Sequence, residues 1–271
     1  MRWHRTFREF TKLLAAIALL DVVLVGCSGG DGGQPKEGTR EARTISSRIT
    51  GTDYPLNIYL PPANAGPRGG LPVVYVLDGE RWFETVVGIA ESTHRPLIIV
   101  GINTSGYRNR DFVPLNECTP NGGGHAAYFD FIRQELLPYV EATIGGDPSQ
   151  RALFGHSHGG SFVLYAMFSE SPGQQSFKAY LASDTSVGCM SAVAYGWEQS
   201  YALVHRDLPV RLHISGANDG NYASNRAYAN AIAQRNYGHL ALLFQGYTGT
   251  HSGIVPQALA DAIGFAFAAS P

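Results

Sequence analysis

The 271-residue chain is poor in charge, in cysteine and in long apolar runs. Only 15% of its residues are charged, and the formal net charge is −2. That balance leaves no basic face for a nucleic-acid backbone, so nucleic acid is not an expected partner. No stretch reaches the roughly 20 uninterrupted apolar residues of a membrane-spanning helix. Internal repeats are lacking, and so is any break that would mark a second domain. A hydrophobic fraction of 44% excludes a wholly disordered or collagen-like chain. The 32 glycines and 15 prolines point to tight turns and many loops rather than long exposed helices.

The N-terminus reads as a targeting segment. Arg2, Arg5, Arg8 and Lys12 precede a short apolar run, residues 13–25, interrupted by Asp21. The run ends Leu24-Val25-Gly26-Cys27, which resembles the bacterial lipobox. Residues 1–26 are therefore expected to be a lipoprotein-type signal peptide, with Cys27 lipidated; an ordinary secretory signal is the alternative. Acyl chains on one cysteine can hold a soluble domain at a membrane, at about 0.8 kcal/mol per buried methylene. Residues 27–43 are polar and Gly-rich, without apolar periodicity, and read as the lipidated cysteine and a flexible tether. The expected location is the bacterial cell envelope, periplasmic or cell-surface. Cys118 and Cys189 remain as an even pair in an oxidising compartment, which favours a disulfide over two free thiols.

Residues 44–271 read as one α/β domain. Residues 44–50 and 54–60 alternate around Gly51-Thr52-Asp53 as an opening hairpin. Residues 71–77 and 96–102 are continuous apolar runs, the mark of strands buried on both faces. Further short strands are predicted at 151–154, 177–182, 210–214 and 240–244. Helical patterns at 82–91, 126–142, 158–169, 224–235 and 256–269 separate them. Strands alternating with helices predict a mainly parallel sheet covered on both faces, with reactive groups at the carboxyl ends of the strands.

One such end carries Gly155-His156-Ser157-His158-Gly159, between an apolar strand and a helical pattern. A serine in a sharp strand-to-helix turn lifts its hydroxyl off the sheet, and flanking glycines leave room for the crowded backbone. The helix that follows turns free amides and its positive dipole end toward the same place. Ser157 is thus the candidate nucleophile. His156 and His158 stand too close to it to act as its base. No further ligand cluster supports a metal at His-x-His.

The base should lie after the last strand, and His251 fits, beyond Thr248-Gly249-Thr250. His213 and His239 fall in or beside strands and read as structural, and His205 lies too early. For the acid, Asp219 in Ala217-Asn218-Asp219-Gly220 fits best; Asp184 is the rival and Asp207 the outsider. The order Ser157, Asp219, His251 is that expected of an elbow hydrolase. Backbone amides of His158 and Glu80, the latter in Leu77-Asp78-Gly79-Glu80, are the expected oxyanion donors.

These motifs, with residues 71–79 and the Arg108-Asn109-Arg110-Asp111-Phe112-Val113-Pro114 segment, resemble the putative-esterase family of α/β hydrolases. That family includes enterochelin (siderophore) esterases, feruloyl esterases, S-formylglutathione hydrolase and mycolyltransferases. The resemblance runs from about Ile45 to the C-terminus. It implies an α/β-hydrolase fold, a serine-dependent esterase without metal or organic cofactor, and an oxyanion donor at Glu80. His158 departs from the usual apolar residue, and siderophore esterases lean less on the triad acid. The 184–208 segment leaves room for a loop and a helix but no large cap domain, so an open cleft for a bulky siderophore or aryl ester is expected. Trp82, Tyr107, Phe112, Tyr195, Trp197 and Tyr222 are candidate walls. Acyl transfer to a sugar or lipid hydroxyl, and a non-catalytic binding lipoprotein, are the alternatives. The expected partner is a small-molecule ester, with membrane contact only through the lipid anchor.

Overall fold

The structure, a computed structural model, describes residues 38–116 and 118–268. The signal segment, Cys27 and the tether up to residue 37 lie outside the described residues.

An antiparallel hairpin opens the fold, β1 (Thr39–Ser46) against β2 (Asp53–Leu60). This corrects the expected tether boundary. Residues 39–43 are strand, because Thr39 to Arg43 pair in register with Leu60 to Leu56. Alternate β2 side chains, Tyr54, Leu56 and Ile58, are buried and supply the hydrophobic face that fixes this register.

Next come β3 (Val73–Leu77), α1 (Gly79–Ser92), β4 (Ile98–Ile102) and α2 (Arg108–Phe112). The predicted 126–142 helix is α3 (His125–Phe131) and α4 (Leu137–Thr143), joined by a π-helical turn at Ile132–Leu136. There Leu137 N–H reaches back to Ile132 C=O. Pro138 follows and has no N–H to give, which favours this widening. The chain continues through β5 (Arg151–His156), α5 (His158–Phe168), β6 (Ala179–Ser183), α6 (Ser191–Val204), β7 (Arg211–Asp219), α7 (Tyr222–Gln234), β8 (Ala241–Thr250) and α8 (Val255–Ala266).

The eight strands form one sheet in the order β1-β2-β4-β3-β5-β6-β7-β8, parallel from β4 to β8. Every residue of β3, β4 and β6 is buried, as the continuous apolar runs require. Alternation then divides the sheet between two cores. Val74, Val76, Ile99 and Phe154 pack under α1 and α8, and Val73, Tyr75, Leu77, Val100 and Leu153 pack under helices of the opposite face. Helices on both faces of a mainly parallel sheet, with an elbow after β5, make this the α/β-hydrolase fold. The connection from β6 to β7 contains one helix, α6.

Candidate active site

The ends of β3, β5, β6 and β8 carry the candidate groups. At the end of β5 the backbone of Ser157 turns to φ 60°, ψ −119°, and α5 starts at the next residue. The turn is built by small neighbours. A Cβ on Gly155 would run into the carbonyl of Gly159, and one on Gly160 would meet Thr185 Cγ2 at 2.9 Å. Ser157 N–H donates to Ser183 C=O at 2.9 Å, so β6 holds the turn from the side.

His251 follows the last residue of β8, and its Nδ1 lies 2.6 Å from Asp184 Oδ2. Asp184 is fully buried, with a positive φ of 39°, directly after β6. Burying a lone carboxylate costs several kcal/mol, and here donors offset it. Ala217 N–H donates to Oδ1 at 2.9 Å and Asn221 N–H at 3.1 Å.

The choice of Asp219 as acid is thereby corrected: His251 pairs with Asp184. Strand β7 is longer than its apolar run, continuing through a bulge between Ala217 and Asp219, where Asp219 pairs with Thr250. Its side chain is exposed there. Asp207, the outsider, pairs instead with His239 Nδ1 at 2.7 Å.

Among the described residues the Ser157 hydroxyl has one hydrogen-bond partner, Ser186 Oγ at 3.2 Å, rather than His251. His156, the residue before Ser157, has its ring 4.3 Å from that of His251, centroid to centroid. His156 Nδ1 is 3.3 Å from Ser183 Oγ, and Trp82 meets the ring edge-on at 5.3 Å. Burial, and then His251 beside it, push the His156 pKa down to about 3. Burial and Arg108 push that of His158 down to about 4. Both rings are neutral near pH 7. His213 is likewise buried inside β7 and pushed down to about 4, in keeping with a structural residue.

Two amides lie at the starts of α1 and α5. Neither Glu80 N–H nor His158 N–H has an acceptor among the described residues. The first turns of α1 and α5 adjoin, since a Cβ on Gly159 would lie 3.6 Å from Asp78 Oδ2 and 3.7 Å from Leu77 Cβ. The Glu80 side chain accepts from Thr104 N–H at 3.1 Å and Ser105 Oγ–H at 2.7 Å, tying α1 to the loop after β4.

Asp78, at the N-cap of α1, pairs with Arg108, a partner that no sequence motif signals. Arg108 Nε donates to both Asp78 oxygens, at 2.8 and 2.9 Å, and its Nη2 donates to His156 C=O at 3.1 Å. One guanidinium thus ties the end of β3 to the end of β5. Burial raises the Asp78 pKa, and Arg108 opposes the rise.

The expected disulfide is present, Cys118 to Cys189, with Cα atoms 6.1 Å apart. Among the candidate walls, Phe112 is buried in the core and Trp82 nearly so. Tyr195 and Trp197 pack on Tyr228 and Tyr165, and Tyr222 on Phe244. Tyr107 is exposed, with the Arg110 guanidinium 4.4 Å from its ring centroid. No cluster of three or more metal-ligating side chains occurs among the described residues.

A strained elbow serine, a carboxylate-paired histidine and two free amides at strand ends define a hydrolase-type site. The profile of the family described as "Putative esterase" matches residues 46–255, and the chain belongs to this family. It is 30% identical over 172 residues to the ferri-bacillibactin esterase BesA of Bacillus subtilis, covering 54% of this chain and 58% of that protein. It is also 30% identical over 154 residues to a siderophore triacetylfusarinine C esterase of Aspergillus fumigatus, covering 51% and 49%. The matches thus span about half the length of these relatives. Among solved structures, the BES protein of Bacillus cereus superposes with a TM-score of 0.75 at 24% identity, covering 89% of this chain and 100% of that one. An IroE-like serine hydrolase of Shewanella oneidensis gives 0.72 at 25% identity, covering 83% and 79%.

Proposed function

We propose that the chain is a serine-dependent carboxylic ester hydrolase acting through an acyl-enzyme, on bulky esters of the siderophore type. The observation that carries this reading is the His251–Asp184 pair at 2.6 Å, with the His251 ring against that of His156, the residue before a serine on a strained elbow. Asp184 accepts from His251 Nδ1–H and leaves Nε2 as the basic nitrogen. A small closing movement that brings Nε2 within hydrogen-bond reach of Ser157 Oγ completes the proton path; such bonds commonly tighten only when substrate is bound. His251 takes the serine proton as Oγ attacks the ester carbonyl. The Glu80 and His158 amides stabilise the charged oxygen by several kcal/mol. His251 then protonates the departing alcohol, and water releases the acid by the reverse sequence.

The substrate class rests on the relatives, by name a ferri-bacillibactin esterase and a siderophore triacetylfusarinine C esterase. The same reading places the enzyme in the cell envelope, tethered through lipidated Cys27. The Cys118–Cys189 disulfide supports an oxidising compartment.

The test is turnover of an aryl acetate and of a ferric trilactone siderophore by the wild-type and Ser157→Ala proteins. The variant is expected to lose on the order of a thousandfold or more in kcat while keeping its melting temperature. Retained turnover would remove Ser157 from the reaction.

A further inference from the structure

The mechanism above leaves unused the group that touches the nucleophile. Ser186 lies two residues after Asp184 and three before Cys189, in the connection from β6 to α6. Its backbone is anchored on both sides. Ser186 N–H points to Ser161 Oγ at 3.1 Å and to Ser157 C=O at 3.3 Å. Its own C=O accepts from Cys189 N–H at 3.0 Å. None of these bonds uses the side chain, so alanine would keep the loop in place. The hydroxyl has a single partner among the described residues, Ser157 Oγ at 3.2 Å.

We propose that Ser186 is a further catalytic residue, whose hydroxyl donates a hydrogen bond to Ser157 Oγ while that oxygen carries developing negative charge. The proposal rests on the esterase reading. With Ser186 as donor, the proton of Ser157 remains free for His251. In acylation that proton passes to His251 Nε2, the Oγ–carbonyl carbon bond forms, and the ester C–O bond breaks. The departing alcohol takes the proton from His251. In deacylation water replaces the alcohol, and Oγ leaves and recovers its proton from His251. Ser186 keeps its own proton throughout. A hydrogen bond to an ionised oxygen is about twice as strong as one to a neutral oxygen. The contact is therefore stronger in the transition state than at rest, which is the condition for raising kcat.

The test uses the full chain as wild type, Ser186→Ala and Ser186→Thr. Two rates are followed, covalent labelling by a fluorophosphonate and the acylation burst with p-nitrophenyl acetate. Ser186→Ala is expected to label the same site to the same final extent but about tenfold more slowly, with kcat lowered and KM little changed. Threonine, which keeps the hydroxyl, is expected to restore most of the rate. Equal wild-type and Ser186→Ala rates, at equal melting temperature, would overturn the proposal and leave the esterase reading standing. A wild-type protein that takes no label and turns over no ester would overturn that reading, and the role of Ser186 with it.

Discussion

At Ser157, Asp184 and Asp78 the backbone has positive φ, at 60°, 39° and 52°. Each such position costs a non-glycine residue about 1–3 kcal/mol, and all three sit just past the carboxyl ends of β5, β6 and β3. Strain here aims side chains. The Asp184 carboxyl, turned inward, meets His251 Nδ1 and the amides of Ala217 and Asn221. Asp184→Asn can still accept from those amides but no longer stabilises an imidazolium. It should lower kcat by about 10²–10⁴-fold with little change in KM. Asp219→Asn, on an exposed side chain, should leave kcat unchanged; the reverse pattern would restore Asp219 as the acid. The places of Ser157, on a strand-to-helix elbow, and of His251, just after β8, were legible in the sequence, because the motif and the order of strands fix both. The acid was not. Choosing between Asp184 and Asp219 depends on how far β7 runs beyond its apolar residues and on the bulge at Ala217, which no hydrophobic pattern records.

Strands with continuous apolar runs, β3 and β4, were legible for the same reason that they are buried, since both faces must exclude water. The start of β1 was not, because Thr39-Arg40-Glu41-Ala42-Arg43 is polar and owes its strand state to backbone pairing with β2. The connection after β6 matters most for the chemistry. Within six residues it holds Asp184, the Ser186 hydroxyl against Ser157, and Cys189. The bridge to Cys118 spans 71 residues of chain and secures this connection to the loop after α2. A disulfide typically contributes about 2–4 kcal/mol. Reduction, or the paired change Cys118→Ser and Cys189→Ser, should therefore lower the melting temperature. It should also lower kcat more than it raises KM, because Asp184 and Ser186 lose a common restraint. Unchanged kcat after complete reduction, verified by thiol titration, would show that the hydrogen bonds of this segment suffice alone.

Across the molecule the sheet acts as a platform on which four strand ends meet. Arg108 bridges two of them, from Asp78 at the end of β3 to the carbonyl of His156 at the end of β5. The connection between β6 and β7 holds a single helix, too little for a large cap at that place, in keeping with the proposed bulky ester. His251, paired with Asp184, has the buried neutral ring of His156 tilted against it, and the neutral His158 starts the helix beyond. The proposed chemistry therefore requires that Ser157 be activated by His251. Reaction of the intact protein with a fluorophosphonate, followed by peptide mapping, measures this directly. The expected result is one adduct, on Ser157, formed rapidly in the wild type and only very slowly in His251→Ala. An adduct on another residue, or equal labelling with and without His251, would contradict it.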